Sequence, residues 1–255
     1  MKLGFIGTGK IASSVITGIC NSKISFTKIL VSPRNKKIAG KLKKKFKKII
    51  IAKDNEEIVK SCNWIFLSVT PKVGEKIIKR LNFRSNQTVI SFISTINLAK
   101  LKKFIKVKAK IVRAIPLPPI SLKKGPVPIC PPNKKVKDFF DKIGTTVEIK
   151  DENKSINFWS TSGMMASYYE ILRVMVDWLI KKGINRNEAQ KYITSLFLAL
   201  SEDAFNNSKK NLRHLVKESQ TPRGLNEQGL RELSKLQFYS SLEKTLNNIN
   251  RRLRK

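Results

Sequence analysis

A glycine-containing segment near the amino terminus has the residue types and spacing of a phosphate-binding turn. Gly7-Thr8-Gly9-Lys10-Ile11-Ala12 follows an apolar run and opens a segment with helical spacing. Gly7 allows a tight turn, Gly9 lets the backbone approach a pyrophosphate, and Ala12 stands where a third glycine usually keeps the helix close to the sheet. A helix beginning here directs unpaired N–H groups towards phosphates. The segment predicts a dinucleotide site, the alternative being a glycine turn without a ligand.

The end of the second predicted strand indicates which dinucleotide binds. Selection for a plain ribose uses an Asp or Glu about 20 residues after the glycine turn. Here the segment Val31-Ser32-Pro33-Arg34-Asn35-Lys36-Lys37 contains no carboxylate. Ser32, Arg34 and Lys36 can instead hold a 2′-phosphate through charge-assisted hydrogen bonds. The pattern favours NADPH, with NADH as the alternative cofactor; the other interpretation is that Arg34 and the lysines are ordinary surface.

The fourth predicted strand ends in Val69-Thr70-Pro71-Lys72. Ligands of open parallel sheets bind at the carboxyl ends of the strands, so this backbone can line the nicotinamide side. A plain strand-to-helix turn, with Pro71 at the first helical position, explains the segment equally well. The predicted cofactor-binding residues are Gly7, Thr8, Gly9, Lys10, Ile11, Ser32, Arg34, Val69, Thr70 and Pro71.

Other kinds of catalytic or metal site have little support in the sequence. His214 is the single histidine, and neither a Ser-His-Asp arrangement nor a metal-ligand spacing occurs, so we expect no metal. Asp177 lies in an apolar helical segment, where a solvated position is more typical than a general acid. Cys20, Cys62 and Cys130 are odd in number and far apart, which argues against disulfides and favours a reducing cytoplasm.

The charge of the chain is strongly positive, with 52 Lys and Arg against 18 Asp and Glu, a net charge of +34. Such a field favours contact with nucleic acid or anionic membranes. However, 40 of these residues are lysines spread along most of the chain, and aromatic residues make up only 8%. Proteins that recognise specific nucleic acids use Arg forks and stacking aromatics, so the pattern favours a solvated lysine-rich surface over a nucleic-acid site.

No apolar run reaches the roughly 20 residues of a membrane span, so we expect no membrane partner.

Strand and helix patterns alternate over the first 150 residues. Short β-branched or apolar runs are separated by segments with helical spacing, as in a doubly wound parallel sheet of the Rossmann type. The predicted strands are 2–6, 28–32, 48–51, 64–69, 88–92, 110–113 and 146–149. Seven prolines between residues 116 and 132 predict loop and edge structure without helix or regular pairing.

After about residue 150 the pattern becomes helical. Residues 158–179 and 187–206 each have a broad apolar stripe, and a last helix runs to the carboxyl terminus. A polar stretch, 218–224, precedes that last helix. We therefore predict two domains, 1–150 binding a dinucleotide and 151–255 consisting only of helices.

The order of these motifs resembles the pyrroline-5-carboxylate reductase family. The similarity runs from about Lys2 to Leu242 and includes the glycine turn, the strand end 67–72 and the segment 91–95. Val112-Arg113-Ala114-Ile115-Pro116-Leu117-Pro118-Pro119 is similar to the family's Arg-x-Met-Pro-Asn-Thr-Pro segment. Ser160-Thr161-Ser162-Gly163 resembles the start of its dimerisation domain, and Thr221-Pro222-Arg223-Gly224-Leu225-Asn226 occupies the place of Ser-Pro-Gly-Gly-x-Thr.

This resemblance implies NAD(P)H-dependent reduction of a cyclic imino acid, 1-pyrroline-5-carboxylate, to proline by a homodimer or larger homo-oligomer. It places Asn226 at the position of the family's Thr, beside the ring nitrogen, as the catalytic residue. The substrate-binding residues it implies are Thr221, Arg223, Gly224 and Leu225. A polar loop that opens a helix can supply N–H groups to the substrate carboxylate.

Several positions depart from the family pattern. Leu117 and Pro118 replace Asn-Thr, and Arg223 replaces a glycine in the carboxylate loop. These departures keep two alternatives open. The same fold could reduce a different imine or keto substrate, or the chain could be a non-enzymatic basic protein that binds nucleic acid.

Overall fold

The structure, a computed structural model, describes residues 1–254 of the chain. It consists of two compact units, Met1–Phe158 and Trp159–Lys255. The first contains a β-sheet with helices on both faces, and the second contains only helices. The Rossmann-type sheet and the helical second half predicted from the sequence are therefore confirmed. The domain boundary near residue 150 stays a prediction.

The sheet of the first unit has eight strands in the order β3-β2-β1-β4-β5-β6-β7-β8. All neighbouring strands pair in parallel except β6 and β7, which are antiparallel. The strands are β1 Lys2–Ile6, β2 Lys28–Val31, β3 Ile49–Ile51, β4 Trp64–Leu67, β5 Thr88–Ser91, β6 Lys110–Ala114, β7 Pro126–Cys130 and β8 Thr145–Glu148. The order reverses between β1 and β4, and ligands of such sheets bind at this switch point.

Helices cover both faces of the sheet, so its central strands are apolar on both sides. Phe5 belongs to one buried cluster and the next residue, Ile6, to the other, because successive side chains of a strand point to opposite faces. The helices of this unit are α1 Lys10–Cys20, α2 Lys36–Lys45, α3 Asn55–Ser61, α4 Pro71–Ile78, α5 Leu98–Ile105 and α6 Lys134–Phe140, with a 3-10 helix at Pro118–Leu122 and the start of α7 Glu152–Ser162.

Side chains cap several of these helices at their amino ends. Asn35, Asp54, Asn97 and Asn133 each accept a hydrogen bond from a backbone N–H of the first turn. Such caps satisfy donors that have no partner within the helix. By contrast, the residue at the cap position of α1 is Gly9, which has no side chain to accept such a bond.

The proline-rich segment contains a strand and a short helix that its composition did not predict. β7 lies inside the sheet between β6 and β8. Two features make room for the prolines of β7. The strand pairs with β6 at only two positions, and Pro128 takes part through its carbonyl, which accepts a hydrogen bond from the Ile115 N–H at 3.2 Å. The 3-10 helix has prolines in its first two positions, where a missing N–H costs nothing.

The helices of the second unit are α8 Met165–Lys181, α9 Arg186–Asn206, α10 Leu212–Glu218, α11 Leu225–Lys235 and α12 Phe238–Arg254. The single helix predicted over 158–179 is interrupted at residues 163–164. The predicted last helix is two helices that separate at Gln237, which has φ +56°.

The interior of the second unit is small. Its buried apolar cluster is Val176, Ala189 and Ile193, with partly buried neighbours from α8 and α9. Many large apolar side chains of this unit are exposed in the single chain. Among the described residues, none of the helices is both long and apolar enough to cross a lipid bilayer.

Candidate active site

The turn after β1 requires glycine at its first position. Gly7 has φ +100°, a conformation that residues with a side chain rarely adopt. A Cβ atom there would lie 2.6 Å from the backbone oxygen of Ser68 and 2.9 Å from Cγ1 of Val69. The Ser68 hydroxyl donates to the Gly7 carbonyl at 2.7 Å. The turn is thus packed directly against the end of β4, and the structure brings the glycine segment and Val69 together.

The next glycine meets a different environment. A Cβ atom on Gly9 would have no heavy atom within 4 Å, so the space in front of α1 is open. The first turn of α1 contains no acidic residue, and the helix has no side-chain cap. Lys10 is exposed and Ile11 is half-buried at this helix start. An open, uncapped helix terminus without carboxylates fits a pyrophosphate.

Two predicted ligands, Thr8 and Ser32, point into the protein. Both residues are 3% exposed. The Gly7 N–H donates to Ser32 Oγ at 2.9 Å, and Ser32 Oγ donates to Asn55 Oδ1 at 2.5 Å. The Thr8 hydroxyl donates to the Ser32 carbonyl at 3.4 Å. In this structure these hydroxyls connect the glycine turn to the end of β2 and to the start of α3.

A cationic hollow lies where β2 and β3 end. It has a volume of about 410 Å³ and is lined by Pro33, Arg34, Lys36, Lys53, Asp54 and Asn55. Lys53 was not predicted from the sequence, because only the fold brings the end of β3 beside the end of β2. The Asp54 carboxylate accepts from the Glu57 N–H at 2.8 Å as the cap of α3. The hollow is therefore lined by three cationic residues and one carboxylate, one oxygen of which caps α3.

The end of β4 leads directly into a helix and lies at the carboxyl edge of the sheet. Thr70 precedes α4 without a side-chain cap, and Pro71 is at the beginning of the helix. The Ser68 N–H donates to the Ile6 carbonyl at 2.9 Å, which holds this end of β4 beside β1. Both interpretations of this segment agree with the structure. The predicted ligands around Gly7, Ser32, Arg34 and Val69 share the carboxyl edge of one sheet.

The polar loop of the second unit is a tight turn before α11. Arg223 adopts φ +64°, and its N–H donates to Glu227 Oε2 at 2.5 Å. The Gly224 N–H donates to the Thr221 carbonyl at 2.8 Å, and a Cβ on Gly224 would lie 2.2 Å from Thr221 Oγ1. Leu225 is 86% exposed. The turn thus presents the uncapped amino end of α11 at the surface of the single chain.

Asn226 lies in the first turn of α11. Its Nδ2 donates to the Ser219 carbonyl at 2.8 Å, which orients the side-chain amide. The implied substrate-binding residues Thr221, Arg223, Gly224 and Leu225 are its sequence neighbours, so the fold of the turn gathers all five.

Among the described residues no group of three His, Cys, Asp or Glu side chains could hold a metal ion.

The two other polar residues considered in the sequence have local partners. His214 Nδ1 lies 2.7 Å from Glu218 Oε2, four residues further along α10. Asp177 pairs with Arg173 on α8. Both are exposed helix-surface pairs, which contribute little to stability and indicate no catalytic role.

Two protein-family models match the chain. Residues 2–95 match the family described as NADP oxidoreductase, coenzyme F420-dependent. Residues 156–255 match the family described as pyrroline-5-carboxylate reductase dimerisation. The two matches fall on the sheet unit and on the helical unit.

Characterised proteins are similar over nearly the whole chain. The pyrroline-5-carboxylate reductase of Staphylococcus saprophyticus is 23% identical, covering 96% of this chain and 94% of that protein. The pyrroline carboxylate reductase structure of Plasmodium falciparum, with NADP bound, has a TM-score of 0.85 and 23% identity, covering 99% of this chain and 97% of that one. The 1-pyrroline-5-carboxylate reductase structure of Streptococcus pyogenes has a TM-score of 0.82 and 22% identity, covering 99% and 98%.

Proposed function

Because the chain belongs to the pyrroline-5-carboxylate reductase family, we propose that it reduces 1-pyrroline-5-carboxylate to proline with NAD(P)H. The observation that carries the proposal is the open, uncapped start of α1 behind the Gly7 turn, in a chain whose helical half matches the dimerisation family of these reductases. The reaction consumes one NAD(P)H and one proton for each C=N bond reduced. Its products are proline and NAD(P)⁺.

The carboxyl edge of the sheet fits the cofactor. The backbone at Gly9, Lys10 and Ile11 would bind the pyrophosphate, and Val69, Thr70 and Pro71 would line the nicotinamide side. The bound cofactor supplies two electrons to the imine carbon. The protein contributes the orientation of the reacting groups and the exclusion of water.

We propose that NADPH is preferred over NADH. Arg34, Lys36 and Lys53 surround the hollow at the ends of β2 and β3, where an adenosine ribose lies in proteins of this fold. A guanidinium and two ammonium groups favour a 2′-phosphate, and they outnumber the single carboxylate of the hollow, Asp54. Ser32 would support this site through the Gly7 turn, to which its hydroxyl is bound.

The substrate would bind at the turn before α11. Its carboxylate would lie at the uncapped amino end of this helix, with Thr221, Arg223, Gly224 and Leu225 around it. Since Asn226 Nδ2 donates to the Ser219 carbonyl, Oδ1 is the atom that can accept from a protonated ring nitrogen. Hydrogen bonding at this point favours the iminium, which is the more reactive form.

We propose a homodimer, built through the helical unit. Exposed apolar side chains on α8, such as Ile171, Val174 and Trp178, recur at helical spacing. A groove of about 650 Å³ within the unit is lined by Met164, which precedes α8, and by residues of α8 and α12 such as Ile171, Phe238 and Leu242. An exposed apolar stripe beside an apolar groove is typical of an interface.

We also propose a cytoplasmic location. The three cysteines are free, in agreement with a reducing compartment.

The test is a spectrophotometric assay of purified protein with NADPH and 1-pyrroline-5-carboxylate. We expect loss of the nicotinamide absorbance and formation of proline in equal amounts. No NADPH oxidation above background would refute the proposal. Running the same assay with a six-membered cyclic imino acid and with open-chain keto acids tests the alternative substrates suggested by Leu117, Pro118 and Arg223. Faster turnover of any of these would assign the enzyme to that substrate instead.

A further inference from the structure

A buried ion pair at the carboxyl edge of the sheet has no part in the binding scheme above. Arg113 Nη1 lies 2.6 Å from Glu152 Oε1, and the two side chains are 4% and 25% exposed. Arg113 is in β6 and Glu152 opens α7, both in the first unit. Taking these charges out of water is costly, so a pair of this kind calls for an explanation beyond general stability.

Both members of the pair also hold the loop that follows β5. Arg113 Nη2 donates to the Ser94 carbonyl at 2.5 Å, and the Leu98 N–H donates to Glu152 Oε1 at 2.8 Å. The loop, residues 92–97, is therefore fixed near its middle and at its end by one Arg–Glu unit. The planar fork of the guanidinium lets Nη1 contact the carboxylate while Nη2 contacts the carbonyl.

This loop lies beside the predicted nicotinamide end of the cofactor site. A Cβ on Gly74 of α4 would lie 3.1 Å from Ile93, 3.2 Å from Ile96 and 3.5 Å from Val69, so all three side chains meet at one point. Ile93 and Ile96 are buried, whereas Thr95 between them is exposed at the tip. The buried isoleucines and the ion pair together determine where this tip stands.

We propose that Arg113 and Glu152 are positioning residues that clamp loop 92–97 beside the nicotinamide, so that the cofactor and the imine meet in a reactive geometry. The inference rests on the proposed function. It assigns to the pair an effect on the reaction step, because small displacements of reacting groups lower rates steeply. Cofactor affinity depends mainly on contacts at β1, β2 and β3, which the pair does not touch.

The variants that test this clamp are Arg113→Lys and Glu152→Ala, with Glu152→Gln as the conservative change. Lysine keeps the charge but lacks the rigid two-nitrogen fork that contacts both acceptors, and alanine removes the acceptor of the Leu98 N–H. Glutamine keeps an oxygen for that N–H. Glu75→Gln is the matched control, because Glu75 forms an exposed pair with Lys79 in the same unit.

We expect kcat to fall about tenfold in Arg113→Lys and in Glu152→Ala, with the NADPH Kd changed by less than about twofold. Glu152→Gln should lose less activity than Glu152→Ala, and Glu75→Gln should match the wild type. Unchanged kcat in both severe variants, or a loss that merely follows the fraction of unfolded protein in a thermal melt, would overturn the proposal.

Amide hydrogen exchange provides a readout that does not depend on the reaction. Peptides covering residues 92–98 should exchange faster in Glu152→Ala than in the wild type, with the other strands of the sheet unchanged. If the wild-type protein is inactive, the reductase function is refuted. The exchange measurement still tests whether Glu152 holds the loop. Equal exchange of these peptides in wild type and variant would refute the clamp itself, even in a variant too unstable for kinetics.

Discussion

The two glycines of the first turn are required for different reasons. Gly7 is held in a left-handed conformation against backbone atoms of β4, so its role is in folding. Gly9 faces open space in front of α1, where we propose that the pyrophosphate of the cofactor binds. Substitutions at the two positions should therefore separate loss of structure from loss of binding.

We expect Gly9→Asp to fold and to bind both NADPH and NADH at least about tenfold more weakly, since its carboxylate would face the pyrophosphate. Isothermal titration measures both affinities. Gly7→Ala is the matched control, which should lower the unfolding free energy by about 2 kcal/mol or more in denaturant titrations. Unchanged cofactor affinity in Gly9→Asp would contradict the assignment of this turn.

The side chain of Arg34 provides the test of cofactor preference. In Arg34→Asp a carboxylate replaces the guanidinium at the hollow, which repels a 2′-phosphate and can accept from a 2′-hydroxyl. We expect the ratio of kcat/KM for NADPH to that for NADH to fall by about 10- to 100-fold. Lys53→Gln should lower the same ratio by a smaller factor. A ratio that does not change in either variant would place the 2′-phosphate elsewhere.

At the scale of the elements, the start of α11 is the least ordinary feature. Arg223 occupies a left-handed position immediately before the helix, where a residue with a side chain is strained. Its backbone N–H is held by Glu227, which keeps the turn closed. In the proposed function an anionic substrate binds at this helix end, and the positive charge of Arg223 would assist that binding.

Replacing Arg223 by glycine should remove the positive charge while keeping the backbone conformation of the turn. Glycine adopts the same φ without strain, so we expect thermal stability to be maintained or slightly raised. The KM for the imino acid should rise several-fold while kcat stays close to the wild-type value, because the cation contributes equally to substrate and transition-state binding. Steady-state kinetics measure this, and an unchanged KM would exclude a role for the guanidinium in substrate binding.

Most elements could be predicted from the sequence, and the exceptions have definite causes. Strands such as Trp64–Leu67 are continuous apolar runs, a pattern typical of parallel strands in a sheet covered on both faces. The strand Pro126–Cys130 was missed because proline content argues against pairing. Its pairing depends on carbonyls and on neighbours that are distant in sequence. Lys53 was missed for the same reason, since its nearness to Arg34 arises from strand order.

At the scale of the whole molecule, the positive charge is concentrated in the sheet unit. The first 158 residues contain 35 Lys and Arg against 9 Asp and Glu, and no acidic residue precedes Asp54. The exposed lysines of α2 belong to this stretch. A cofactor that carries a pyrophosphate and a 2′-phosphate would be attracted over a distance by this field.

We expect the association of NADPH to depend strongly on salt. Raising the ionic strength from about 0.05 to 0.5 M should increase the KM for NADPH several-fold and that for NADH less, since NADH lacks the 2′-phosphate charge. Stopped-flow binding at both salt concentrations measures the effect. Equal salt dependence of the two cofactors would contradict it. Salt-sensitive retention of DNA without any NADPH binding would instead support the nucleic-acid alternative.

The exposed apolar stripe of α8 predicts how the helical unit associates. Val174→Glu introduces a charge between Ile171 and Trp178, so we expect the assembly to dissociate while the sheet unit keeps its fold. Sedimentation velocity measures the mass, and circular dichroism checks the structure. The control is Lys102→Glu on α5 of the sheet unit, which reverses a charge at an exposed position outside the helical unit and should leave the assembly intact. An assembly that survives Val174→Glu would place the interface on another face.

The sequence by itself determined the alternation of strands and helices, the glycine turn after the first strand and the helical second half. These features depend on residues close together in the chain, where periodicity and glycine placement act directly. Tertiary structure alone decided that Ser32 supports the Gly7 turn, that Lys53 joins Arg34, and that Arg113 and Glu152 hold one loop. Such contacts join residues from separate elements, and strand order and packing, rather than local propensity, bring these residues together.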